Sequence, residues 1–139
     1  MNFRRIERVL RKYLNGRRGL SFEYEVKDNR LEAKNSITIE GYKGDILFSI
    51  KFYQNGMARY CYTFDKLNRT PQVAEMLMDF NSNFPFFKAY IDGGYLRVDH
   101  VAYIINEKDV EEYTSGIMSE ILADNCKKYL APISELTYP

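Results

Sequence analysis

The chain of 139 residues has no tryptophan, one histidine, two cysteines and four prolines. With His100 as its single histidine, a serine triad or a multi-histidine metal centre lacks its usual parts. Cys61 and Cys126 show no CxxC spacing, so they offer no zinc or redox motif; they read as reduced, partly buried thiols of a cytosolic protein. Near the N-terminus no apolar run exceeds two residues, which leaves no room for the apolar core of a signal peptide. Nowhere does the chain approach the ~20 consecutive apolar residues of a membrane span. Repeats, linkers and low-complexity stretches are missing as well. The expectation is one cytoplasmic domain over residues 1–139, without membrane contact.

What the chain has in quantity is aromatic side chains: 12 Tyr and 9 Phe. An apolar fraction of 45% against 28% charged residues places it among globular chains, and the aromatics favour packed sheet faces. Net charge is +1, but it is unevenly spread. Arg4, Arg5, Arg8, Arg11, Lys12, Arg17 and Arg18 face a single acid, Glu7, in residues 1–18, whereas after His100 seven acids oppose three lysines. A basic start and an acidic end can attract each other, within one molecule or between two.

Periodicity supplies the elements. Phe3, Ile6, Val9, Leu10, Tyr13 and Leu14 keep the spacing of one helix face, with Asn2 as cap and Gly16 as terminator. Leu20, Phe22, Tyr24 and Val26 alternate with polar residues, predicting a strand. Asp28 to Asn35 reads as a polar connection, and Ile37 and Ile39 as a second strand. Ile46, Phe48, Ile50 and Phe52 give a third, and Asn55-Gly56 turns it into a fourth, Met57 to Phe64. Thr70 and Pro71 open a central helix carrying Val73, Leu77, Phe80 and Phe84, closed by Asn81-Ser82-Asn83. Phe86 to Ile91 and Tyr95 to Ile105 form a hairpin around Asp92-Gly93-Gly94. One long last helix follows, capped by Asn106 with Asp109 three residues on, and kinked or stopped at Ala131-Pro132. The tail to Pro139 is a short helix or a strap. The order α-β-β-β-β-α-β-β-α predicts an α+β two-layer sandwich, an antiparallel sheet packed against helices.

Three features of this order resemble the bacterial YbjN-like proteins, whose domain has the fold of type III secretion chaperones. They are the helix ending in Asn81-Ser82-Asn83, the hairpin Tyr90-Ile91-Asp92 and Tyr95-Leu96-Arg97-Val98, and the closing helix after it. The resemblance implies a non-enzymatic protein-binding module, chaperone- or regulator-like, often a homodimer, with an unidentified client.

No catalytic constellation emerges from the residues. His100 beside Asp99 and across a hairpin from Asp92 is too small a set for metal or acid–base work and reads as a strand histidine satisfied by a neighbour. Asp92-Gly93-Gly94 lacks the spacing of a phosphate loop and joins two strands. Glu23 and Glu25 share a wet strand face and read as solvated acids. We expect neither cofactor nor metal. Two binding readings remain. In the first, Tyr60, Tyr62, Tyr95 and Tyr103 leave aromatic surface on the sheet face that helices do not cover, for a second copy or a protein client; the plainer reading packs such tyrosines in the core. In the alternative, Arg4, Arg5, Arg8, Arg11, Arg17 and Arg18 bind nucleic acid or another acidic surface; the plainer reading is a solvated face, or one paired with the acidic last helix.

Overall fold

A computed structural model describes residues 2–139. Helix α1, Phe3–Leu10, is capped by the Asn2 side chain, which accepts from the Arg5 amide at 3.2 Å. It runs on as a π-helical segment, Arg11–Arg17, which the Arg18 amide closes onto the Tyr13 carbonyl at 2.9 Å. Ile6, Leu10, Tyr13 and Leu14 are the buried face, as their spacing predicts.

Six strands follow: β1 (Glu23–Lys27), β2 (Arg30–Ile37), β3 (Ile46–Tyr53), β4 (Met57–Lys66), β5 (Lys88–Asp92) and β6 (Tyr95–Tyr103). They form one antiparallel sheet in the order β1-β2-β3-β4-β6-β5. Helix α2, Pro71–Asn83, carries the chain from β4 to the far edge strand β5. Thr70 accepts from the Val73 amide at 3.1 Å and Pro71 fills the first turn, where its missing N–H costs nothing. After a 3-10 turn at Glu107–Asp109, α3 (Val110–Glu120) and α4 (Asp124–Ser134) complete the helical layer. Helix α2 packs on α4 and β5, and α1 on α3.

The helices cover one face of the sheet. Ile46, Phe48, Ile50 and Phe52 of β3 and Ala58, Tyr60, Tyr62 and Phe64 of β4 point into that layer and are buried. Phe48 and Tyr62, opposite one another in register, stack at 4.3 Å, and Phe87 meets Tyr62 edge-on. The architecture is α+β, as the alternation of the strands requires.

Three local expectations change. The first hairpin lies earlier than the apolar pattern suggests: β1 starts at Glu23, and most of the polar stretch after Asp28 is strand β2. Asp28 and Asn29 take φ of 50° and 58°, the left-handed pair of a two-residue hairpin turn. Charged residues on the wet face of β2 (Arg30, Glu32, Lys34) hide the buried Leu31 and Ala33. The long last helix is two helices. It breaks at residues 121–123, where Tyr42 Oη donates to the freed Ile121 carbonyl at 2.7 Å. Neither Asn106 nor Asp109 makes a side-chain cap, and Pro132 sits inside α4, in its last turn, without stopping it. The tail is a strap: Lys66 and Tyr138 exchange both backbone hydrogen bonds, at 2.9 and 3.1 Å.

Candidate functional site: the uncovered face of the sheet

Successive strand residues point to opposite faces, so burying one set fixes the other. The register aligns the outward set in rows across the sheet. One row runs Glu25, Glu32, Lys51, Arg59 and Val101. The next runs Glu23, Lys34, Ser49, Cys61, Asp99 and Lys88. No helix crosses these rows.

Arg59 is tied down there by hydrogen bonds. Its Nε and Nη2 donate to Asp99 Oδ2 at 3.0 and 2.7 Å, and Tyr90 Oη donates to the same oxygen at 2.9 Å. Hydrogen bonding to Asp99 pushes the Arg59 pKa up, outweighing the opposing effect of burial. Desolvation, with the Asp99 hydrogen bond and charge, pushes Tyr90 up to about 12. Burial likewise raises the Cys61 thiol, so it stays protonated and unreactive near neutrality. Arg59, Asp99 and Tyr90 therefore form a hydrogen-bonded, charge-paired group beside a protonated Cys61, not a nucleophile with a base.

Beyond Arg97 and Asp99, the outward positions at the end of β6 and just after it are apolar. Val101, Tyr103 and Ile105 are 48%, 65% and 92% exposed. Inward, Leu96 and Val98 of β6 and Ile104 just after it are buried, so the end of this strand is apolar on its outer side over a buried inner set. The regular alternation of the other strands hid this strip, although its two-sided greasiness is legible once the inner set is known.

The expected tyrosines divide. Tyr95 and Tyr103 are exposed on the uncovered face. Tyr60 and Tyr62, proposed as surface residues, are instead core: they are 0% and 1% exposed, on the helix side. The reason is parity, since they share a face with Ala58 and Phe64, which the helices bury. Their hydroxyls are satisfied inside, Tyr60 by Thr114 Oγ1 at 3.1 Å and Tyr62 by the Ile117 carbonyl at 3.5 Å.

The basic residues of α1 and its continuation are exposed, yet half of them meet acids of the same chain. Arg17 pairs with Glu111 at 3.0 Å, Arg5 with Glu107 at 3.8 Å, and Arg11 with Glu7 at 3.0 Å while lying 4.4 Å from the Tyr24 ring. Arg4, Arg8 and Arg18 make no ion pair among the described residues.

His100, Asp92 and Asp99 do not converge. Asp99 and Asp92 lie on the uncovered face, paired with Arg59 and Arg97. His100 lies on the other, stacked on Phe86 at 4.3 Å, its Nδ1 2.7 Å from the Phe86 carbonyl. It borders a cleft of about 460 Å³ with Asp109, Glu112 and Tyr113. Among the described residues no group of three His, Cys, Asp or Glu could hold a metal ion, and no helix is long and apolar enough to cross a membrane.

Comparison with models of protein families and with curated proteins gives no match.

Proposed function

We propose that this chain is a non-enzymatic protein-binding module, chaperone- or regulator-like in the manner of the YbjN-like proteins it resembles, working in a bacterial cytosol and pairing with itself. One observation carries the reading. Helices bury one face of a six-stranded sheet, and the other face carries exposed Val101 and Tyr103 at the end of β6, continued just past the strand by exposed Ile105. Exposed apolar residues arranged as a patch, and not scattered, mark interaction surfaces. Tyr103 is the residue type enriched where one protein meets another. Two free, separate cysteines suit a reducing compartment.

Site-specific photo-crosslinking tests this. A photoreactive residue at Val101 is expected to give a discrete adduct in host lysate, whereas one at Met78, exposed on α2, gives none. Equal labelling from both positions, or none from Val101, removes the proposal. The nucleic-acid alternative ranks second, because Arg5, Arg11 and Arg17 are engaged by the chain's own carboxylates.

A further inference from the structure

The middle of the uncovered face holds a depression of about 230 Å³. Short side chains make its floor: Ser49 and Cys61 face each other in register on β3 and β4, with Thr63 two residues on. Long cations stand around that floor, one from each of four strands: Lys34 of β2, Lys51 of β3, Arg59 of β4 and Arg97 of β6. Glu32 is the one carboxylate among the lining residues.

Two of these four charges make no ion pair among the described residues. Arg59 is held by Asp99, and Arg97 gives one Nη1 to Asp92 at 3.0 Å. Lys34 and Lys51 have no carboxylate within ion-pair distance among the described residues. The Nε of Arg97 is buried and donates to no acceptor of the protein. Arg30 Nε, outside the depression, is in the same state, and a covered atom meets no ligand, so the free charge at this site is that of Lys34 and Lys51.

We propose that this depression binds a small tetrahedral oxyanion of the phosphate class. A carboxylate presents two oxygens in one plane. Here donors converge from four strands, with the Ser49 and Thr63 hydroxyls beside them, and a tetrahedral anion has oxygens to meet them from several directions. Lys34 and Lys51 supply the uncommitted charge, and Arg59 and Arg97 add only the N–H groups that Asp99, Tyr90 and Asp92 leave free. The volume lies below the ~300 Å³ at which pockets for drug-sized ligands begin. The site therefore takes a phosphate group alone, and any larger molecule bearing it stays outside. This inference does not rest on the protein-docking reading.

Amide chemical shifts of the full chain, titrated at low ionic strength with inorganic phosphate, test it, with phosphoserine as a second arm and acetate as a third. The expected result is saturating shifts confined to residues around Lys34, Ser49, Lys51, Thr63 and Arg97. Lys51→Gln and Lys34→Gln, both on the wet face, are each expected to weaken binding about tenfold, the loss of one charge-assisted contact. Arg4→Gln is expected to change nothing. Tighter phosphate than phosphoserine assigns the site to the free anion, and the reverse to a phosphorylated side chain. Acetate binding as well as phosphate, shifts spread equally over α1, or undiminished affinity in both lysine variants overturns the proposal.

Discussion

A tyrosine hydroxyl inside a protein has to find a partner, and its loss is felt on both sides of the bond. Tyr60 Oη lies 3.1 Å from Thr114 Oγ1, and Thr114 is fully buried. Tyr60→Phe keeps the ring but orphans the threonine, so unfolding free energy is expected to fall by about 1–3 kcal/mol in a denaturant titration. Tyr103→Ala on the uncovered face, measured at high dilution where any dimer has dissociated, is expected to stay within about 0.5 kcal/mol of the parent. Equal costs would mean that the two faces are not distinguished as the packing implies. The same hydroxyls set an alkaline limit. Tyr24 and Tyr90 are pushed up to about 12, mainly by burial, and burial raises Tyr42, Tyr60 and Tyr62 as well. Above pH ~10 the unfolded chain releases protons that the native state keeps, so the unfolded state binds fewer and stability falls as pH rises. Thermal melts are expected to be flat in this contribution below pH ~10 and to drop steadily from there to about 12. A midpoint unchanged across that window would deny the tyrosines their burial.

Elements show which signals the sequence carries openly. Thr70-Pro71 and Asn55-Gly56 are local chemistry, legible without neighbours, and both lie where they were read. Strand β2 was not legible, because Leu31 and Ala33 are its only fully buried residues and Arg30, Glu32 and Lys34 dominate the pattern. The break before α4 was not legible either: the apolar stripe continues through Ile121 and Leu122, and the hydroxyl that takes the freed carbonyl comes from Tyr42, far away in sequence. Of the four tyrosines the sequence points to, Tyr95 and Tyr103 are exposed on the uncovered face and Tyr60 and Tyr62 are buried, whereas the cations of β2, β3, β4 and β6 are brought together only by register. Helix α3 offers a test at this scale. Gly116 lies in its interior with a helical backbone, and a Cβ there would meet nothing within 4 Å. Gly116→Ala is therefore expected to raise stability by about 0.5–1 kcal/mol, read as an upward shift in melting temperature. Gly44→Ala is the opposing control. Gly44 has φ of +79°, and its Cβ would stand 2.7 Å from Asp65 Oδ2, so destabilisation is expected. If both changes move the melt the same way, the backbone argument fails.

At the scale of the whole molecule, the two halves of the charge asymmetry meet each other. Arg17 reaches Glu111, Arg5 reaches Glu107, and the Asn2 amide donates to Glu107 Oε1 at 3.1 Å, so the basic start is folded against the acidic beginning of the last helices. That spends on intramolecular pairs part of what a nucleic acid would need, and exposed pairs of this kind add little stability. The face left free for contact is the sheet. Its greasy margin, Val101 and Tyr103 at the end of β6 and Ile105 after it, begins beside Arg59, which is opposite Val101, and runs on from there past the last residue of the strand. A second copy related by a two-fold axis would lay this strip against its own image, the self-complementary arrangement that symmetric dimers use. Static light scattering at tens of micromolar is expected to report a dimer. Replacing Tyr103 with Asp puts two carboxylates into that contact, so the variant is expected to scatter as a monomer at the same concentration. Its melting temperature at high dilution, where the parent has also dissociated, should match the parent's. A parent that scatters as a monomer, or a Tyr103→Asp variant that stays dimeric, would move self-association off this strip.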